Sequence, residues 1–334
     1  MFRHSLWLRT ILLLVLAAAI LGTGIVLLNR HDAANHHETR GEMSDGFGQL
    51  KTIIVDGVSW QEKPAVTTLL VAGIDKPNAK ETSSETNFRD GGQADFLLLF
   101  AIDHTDRKIH RFQLERDTMA EIDILGVFGN EVGTRTEQLC LAHRYGATPE
   151  DNAKYTIRAV ERLLGGVEID SWYMIDYAAM ADLNDALDGI PVDIAFDMTS
   201  VNPAWTVGSH ITLHGSEAED YVRARMSVGS GTNEERMIRQ NTFMSAAITR
   251  MKEKTMDDLH FAENLFRKLD QYSVTNMTIK WLSDELYNSK DYEILPVDHP
   301  AGEYQISSAG YMEFHMKESA AIDWILNHLY TRLT

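Results

Sequence analysis

Two stretches, "AVTTLLVAGID" (65–75) and "ADFLLLFAID" (94–103), constrain the fold of this chain more than any others. Each is a nearly unbroken apolar run of strand length. A strand exposed on one face alternates polar with apolar side chains, so continuous runs point to strands covered on both faces. A third run, "KIHRFQLER" (108–116), follows the turn "DHTDR" and reads as a strand hairpinned to the second. "KTIIVDGVSWQEK" carries an Asp-Gly turn between two short runs, which signals another hairpin. Helical periodicity is predicted at 136–146, 149–164, "AAMADLNDALDGI", 216–225, 233–253, 256–270, 277–287 and 318–332, with strands at "SWYMIDY", "PVDIAFD" and "YMEFHMK". Strands mixed with helices throughout, without a repeat, imply an α/β or α+β sheet with helices on both faces.

Residues 11–28, "ILLLVLAAAILGTGIVLL", contain no charge and are long enough to cross a bilayer as a helix. Arg3 and Arg9 precede the run and Arg30 follows it, so residues 1–10 are expected to be cytoplasmic and the remainder outside. No small-x-small cleavage site directly follows, which favours an uncleaved anchor over a signal peptide. Residues 29–50 read as a polar linker, whose His31, His36 and His37 offer only adventitious metal binding, and residues 51–334 as one extracytoplasmic domain.

The formal net charge of −18 argues against general nucleic-acid binding, which needs a broad basic surface. Cys140 is the only cysteine, so an intrachain disulfide and multi-cysteine zinc are both excluded. Its setting, "TEQLCLAHRYG", suits a buried inert thiol.

Against that acidic background, "DYVRARMSVGSGTNEERMIRQ" gathers Arg223, Arg225, Arg236 and Arg239 around a glycine-rich loop. Arg236 and Arg239, three apart, share a helix face, with Gln240 beside them. Arg223 and Arg225, two apart, do not, so one of them projects from a helix end or a strand. The glycines would let backbone approach a ligand closely. A solvated, charged helix start is the plain alternative, supported by Glu234 and Glu235.

Asp75 ends the first apolar run and Asp95 begins the second. If these strands are antiparallel neighbours, both carboxylates lie at one sheet edge and could hold a hard cation; ordinary strand-end residues capping turns are the plain alternative. Arg116 and Asp117 end the third strand at the same edge, and Arg89 lies in the loop between the aspartates. Arginine suits bidentate contact with phosphate, although an Arg-Asp dipeptide is commonly a surface pair of little consequence. His210 and His214 sit in a short β segment, where ligation on a shared face is doubtful. There is no GxSxG, P-loop or HExxH.

In order, "LLVAGID", "GGQADFLLLFAID", "LERDTM", "QLCLAHRYG", "LNDALDGIPVDI", "ITLHGSEAEDYVRAR" and "ERMIRQ" resemble the LytR–CpsA–Psr family over about residues 66–253, closest in style to clostridial-type members. The resemblance implies an α-β-α sandwich with a central mixed sheet behind one transmembrane helix, and a long apolar pocket for a polyprenyl chain. It implies a membrane-anchored phosphotransferase that moves a glycopolymer, of teichoic acid or capsular type, from an undecaprenyl-pyrophosphate carrier to peptidoglycan at the C6 hydroxyl of N-acetylmuramic acid. Mg²⁺ would fall on Asp75 and Asp95. The diphosphate would fall on Arg116, Arg223, Arg225, Arg236 and Arg239 with Gln240, and less securely on Arg89. Asp117 is a weaker candidate for general base than for orienting Arg116. The chain departs from the family pattern in Asp95-Phe96, where Asp-Thr is commoner, in "LERDT", and in a longer 76–93 loop. A polyprenyl-pyrophosphate hydrolase would use the same residues, and a catalytically silent lipid-binding regulator is the third reading.

Overall fold

The computed structural model describes residues 50–76, 91–225, 228–258, 261–289 and 291–333. The expected transmembrane helix, the linker up to residue 49 and Arg89 lie outside them. No helix among the described residues is long and apolar enough to cross a membrane. The described chain divides into two compact units: 50–174, 274–276 and 292–333 form the first, and 175–273 and 277–291 the second.

The first unit opens with the hairpin β1 (Thr52–Val55) and β2 (Val58–Glu62). Asp56 and Gly57, at φ 49° and 76°, make the tight turn that the Asp-Gly pair predicts. Then come β3 (Val66–Asp75), β4 (Gln93–Asp103) and β5 (Lys108–Leu114), each antiparallel to the one before. Asp103 organises the β4–β5 turn by accepting hydrogen bonds from the amides of Thr105 at 3.0 Å and Asp106 at 2.8 Å. A further hairpin, β6 (Met119–Leu125) with β7 (Glu131–Gln138), leads into a 3-10 segment, Leu139–Arg144.

Helix α1 (Pro149–Leu163) starts on Thr148, whose hydroxyl accepts from the Asp151 amide at 3.1 Å, and places Pro149 in its first turn. It stops at Gly165 and Gly166, both left-handed. Strand β8 (Ser171–Asp176) follows.

In the second unit α2 (Ala179–Ala186) precedes β9 (Ile190–Asp193), antiparallel to β10 (His210–Leu213). Helices α3 (Glu217–Arg223), α4 (Asn233–Asp257) and α5 (Phe261–Leu269) come next. After β11 (Ser273–Thr275), most of which belongs to the first unit, helix α6 (Ile279–Ser289) completes the second. Its core gathers Leu187, Val192, Trp205, Tyr221, Phe243 and Met251.

The chain closes in the first unit with β12 (Glu293–Asp298), the hairpin β13 (Gly302–Ile306) and β14 (Met312–Met316), α7 (Glu318–Leu329) and β15 (Tyr330–Arg332).

The central sheet has the order β11-β8-β3-β4-β5-β12 and is mixed, since β12 runs parallel to β5. Both alternations of β3 and β4 are buried: Leu70 and Leu99 on one face, Leu69 and Leu98 on the other. Coverage on two faces is what the continuous runs require, and the α/β class holds. The expected helix over 136–146 is corrected. Residues 136–138 belong to β7, held by pairing such as Met119 with Gln138, and only the 3-10 segment follows. Most of β7 is exposed, so no apolar alternation marked it as a strand.

Candidate functional site

The first unit brings four of the expected residues to one end of its sheet. The β3–β4 register pairs Gly73 with Phe96 and then Ile74 with Ala94, so Asp95 is the extra residue of a β-bulge. Bulges re-aim side chains, often beside active sites. Asp75 lies directly opposite Gln93. Opposed residues of an antiparallel pair share a face, so Asp75 lies on the face of Gln93. Gly92 makes this approach possible. At φ 82°, a β-carbon there would stand 2.6 Å from the Asp75 carbonyl oxygen.

Arg116 follows β5 and occupies the centre. Its Nη1 donates to Asp95 Oδ1, its Nη2 to Gln93 Oε1 at 2.6 Å and to the Cys140 sulfur at 3.1 Å, and its Nε lies 3.2 Å from Asp117 Oδ1. Burial alone lowers the Arg116 pKa, but Cys140, Asp95 and Asp117 outweigh it, and the net shift is upward. Burial also pushes the Cys140 thiol up to about 12 against the pull of Arg116. The thiol is therefore uncharged at neutral pH, and the carboxylates carry the effect on Arg116. Asp117, 2 % exposed, accepts from Gln138 Nε2 at 3.1 Å, and Gln138 also donates to the Met312 carbonyl at 2.6 Å. Through these bonds, and through the Phe314 amide on the Asp117 carbonyl at 2.8 Å, the β13–β14 hairpin fastens the Arg-Asp pair.

Asp75, Asp95, Asp117 and Arg116 together carry a formal charge of minus two. Among the described residues no group of three or more His, Cys, Asp or Glu is arranged to hold a metal ion. Two oxygen donors and a surplus of negative charge fit a hard cation of the Mg²⁺ kind, which takes few protein ligands and draws the others from substrate phosphate and water.

The second unit holds the other set. Arg223 is the last residue of α3, while Arg225 lies beyond the cap Ala224, as their spacing requires. Arg223 pairs with Glu219 at 2.5 Å, and its guanidinium carbon stands 6.0 Å from the Tyr177 ring centroid. Arg236 and Arg239 are both buried on α4. Arg236 donates to Asn233 Oδ1. Arg239 donates through Nε to the Tyr221 carbonyl at 3.1 Å and through Nη2 to the Ala224 carbonyl, so it caps the C-terminal end of α3. Burial lowers its pKa. Gln240 donates to the Tyr177 hydroxyl at 3.3 Å, and its own side-chain oxygen is buried with no hydrogen-bond partner among the described residues.

The glycine loop has a local task here. Gly229, at φ 50°, packs against the Glu235 carboxylate, where a β-carbon would lie 2.3 Å from Oε2. That carboxylate accepts from the Ser230 amide at 2.9 Å, while Thr232 caps the Glu235 amide at 3.3 Å.

No sequence pattern points to Gln138 or Tyr177 as site residues, and Cys140 has the sequence setting of inert packing. Gln93 is absent from the expected set but carries a signal: it is a polar side chain at the mouth of an apolar run, two residues before Asp95. Gln138 and Tyr177 join the site only through the hairpin and helix contacts. Of the apolar residues in 136–164 and 233–253, Leu139, Ala153 and Val160 pack in the first core and Phe243 and Met251 in the second, while Ile238 is exposed. A cavity of about 150 Å³, lined by polar side chains such as Lys51, Thr68 and Asp170 and by apolar ones such as Val66 and Leu329, lies at the β3 end opposite Asp75.

The comparisons with known proteins show the class to which this fold belongs. The LytR_cpsA_psr family model matches residues 28–315, and the chain belongs to that family. A polyisoprenyl-teichoic acid–peptidoglycan teichoic acid transferase TagU of Halalkalibacterium halodurans is 27% identical over 221 residues, 65% of this chain and 62% of the relative. The biofilm regulatory protein A of Streptococcus mutans is 26% identical over 221 residues, 64% of this chain and 50% of its own length. The chain thus spans less than two thirds of either relative. The structure described as TagT bound to LIIa-WTA matches with a TM-score of 0.56 at 19% identity, covering 79% of this chain and 91% of that one, which shows a shared fold.

Proposed function

We propose that this chain is a glycopolymer transferase that moves a polymer of teichoic acid or capsular type from an undecaprenyl-pyrophosphate carrier to peptidoglycan. The observation that carries the reading is Arg116 held between Asp95 and Asp117 and bonded to Gln93, which lies opposite Asp75, in a chain of a family whose relative named above is a teichoic acid transferase. Residues 11–28 anchor the protein in the cell membrane, with the described units outside.

In this reading Asp75 and Asp95 hold Mg²⁺, and the ion, when bound, neutralises part of the diphosphate charge. Arg116, Arg223, Arg225 and Arg236 bind the diphosphate oxygens, with Arg89 as a further candidate. Arg239 positions the turn that presents Arg223 and Arg225, and Gln240 offers its buried oxygen to a ligand donor. The acceptor hydroxyl attacks the phosphorus attached to the polymer; a new P–O bond forms, the bridging P–O bond breaks, polyprenyl phosphate leaves, and the hydroxyl proton passes to the leaving phosphate oxygen or to water. Phosphoryl transfer needs mainly positioning and charge stabilisation, which fixed guanidiniums supply as charge develops on the leaving phosphate. Asp117, already engaged by Arg116 and Gln138, suits the orienting role better than that of a general base.

Product analysis with and without peptidoglycan tests the reaction type. A transferase yields polymer-linked peptidoglycan only when the acceptor is present. Equal release of free polymer phosphate in both reactions would make the protein a hydrolase. The regulator named among the relatives keeps a silent lipid-binding role as the second reading, and lipid binding without turnover would establish it.

A further inference from the structure

The β6–β7 hairpin ends in "GVFGN", residues 126–130, with no charged side chain. Phe128 is 90 % exposed, Val127 88 % and Val132 59 %. The tip is nonetheless a defined turn: the Gly126 amide donates to the Asn130 carbonyl at 2.8 Å, and the Gly129 amide to the Gly126 carbonyl at 2.9 Å. Its base is anchored, since Ala120 and Ile122 of β6 lie in the core of the first unit. A buried base under a fully exposed phenylalanine is a costly arrangement for a surface in water alone.

We propose that this tip inserts into the headgroup–acyl boundary of a lipid bilayer and seats the first unit on the membrane. The inference rests on the anchored reading above. The 21 residues 29–49 separate the apolar run from the described chain and span at most about 70 Å, so the first unit stays within reach of the surface. Charge points the same way. The hairpin carboxylates Asp123 and Glu131, which flank the tip, are both held by arginines of α1. Arg158 reaches Glu131 at 2.6 Å and Asp123 at 3.2 Å, and Arg162 reaches Asp123 at 2.8 Å. In a chain of net charge −18, this hairpin end therefore has its acids compensated and its tip uncharged.

Size argues against a protein partner. An aromatic side chain offers about 200 Å² of surface. With two valines the patch reaches no more than about half of the roughly 800 Å² per partner that a stable protein interface buries. A narrow apolar tip of this kind suits a fluid lipid boundary, which needs no matching surface. β6 has seven residues, so it carries the tip about 20 Å along the strand from Met119, which follows the Arg116–Asp117 pair closely in sequence.

The sequence offers a clean probe. Cys140 is the only cysteine; it is fully buried, and its thiol is pushed up to about 12, so it resists labelling. Full-length Phe128→Cys and Glu303→Cys variants, each carrying an environment-sensitive dye, are reconstituted in phosphatidylcholine–phosphatidylglycerol vesicles. The dye at 128 is expected to shift to the blue and to be quenched several-fold more by shallow nitroxide lipids than by aqueous iodide. The dye at 303, on an exposed position of β13, should show the reverse. Emission at 128 equal to that at 303 overturns the inference while the anchor stands. A blue shift that ignores nitroxide lipids and grows with protein density overturns it in favour of a second copy of the chain. Failure of the chain to stay with carbonate-washed vesicles removes the anchored reading, and this inference with it.

Discussion

Nη2 of Arg116 donates to the side-chain oxygen of Gln93 at 2.6 Å, and Gln93 lies directly across the β3–β4 pair from Asp75. A neutral amide thus links the central guanidinium to the strand end that bears the aspartate. In the proposed reaction, removing Arg116 takes away a charged contact made in the transition state, worth roughly 3 kcal/mol or about a hundredfold in rate. Gln93→Ala leaves Asp95, Asp117 and Cys140 to hold the fork, so its loss is smaller, about tenfold. Gln93→Glu adds a further carboxylate at the fork and should lower kcat more than Gln93→Ala does. Transfer kinetics on variants of matched thermal stability check this order.

Arg239 separates stability from turnover. Arg239→Lys loses the paired contacts to the Tyr221 and Ala224 carbonyls and leaves buried acceptors unsatisfied, at a cost of about 1–3 kcal/mol. For a protein of this size that lowers Tm by about 2–4 °C per kcal/mol. Arg223→Lys, at an exposed pair with Glu219, should leave Tm nearly unchanged while transfer falls, because an ammonium does not reproduce the planar fork. Calorimetry and rate measurements on the two variants distinguish the roles.

Acid should destabilise the protein through buried histidines. Burial pushes His143 down to about 3 and His328 down to about 4, from an ordinary 6.5. Both are neutral in the folded state, while the unfolded chain takes up protons below about 6.5. Their stabilisation is complete above that pH and is lost as pH falls through the folded values. His143 alone accounts for on the order of 4 kcal/mol by pH 3. Glu285, raised to about 7 by burial, acts oppositely: its contribution is full below 4.5 and is lost as pH rises through 7. Unfolding midpoints from pH 3 to 8 should fall on the acid side, less steeply in His143→Gln. Glu285→Gln should flatten the alkaline side alone.

Legibility followed burial. The continuous runs 65–75 and 94–103 became β3 and β4 because two-sided burial leaves an unmistakable apolar signature. The same strand ends carried Asp75 and Asp95 to one edge, as an antiparallel pair demands. The β6–β7 hairpin was missed because most of β7 faces solvent and its pairing is backbone-driven. The contacts of Cys140 and Gln138 with the Arg116–Asp117 pair depend on that hairpin and on the 3-10 segment after it, so no local pattern could show them. Arg239 is expected at the ligand by residue type, and its bonds to the end of α3 show only once α3 and α4 are packed.

In the proposed reaction, phosphoryl transfer occurs at Asp75, Asp95 and Arg116 with a divalent cation. The direct measurement is transfer rate against Mg²⁺ concentration for wild type, Asp75→Ala and Arg116→Ala, with folding confirmed for each. Wild type should saturate with Mg²⁺ and stop in EDTA. Asp75→Ala should need far more Mg²⁺, and Arg116→Ala should stay about a hundredfold slow at any concentration. Full activity in EDTA, or wild-type curves from both variants, would contradict the account.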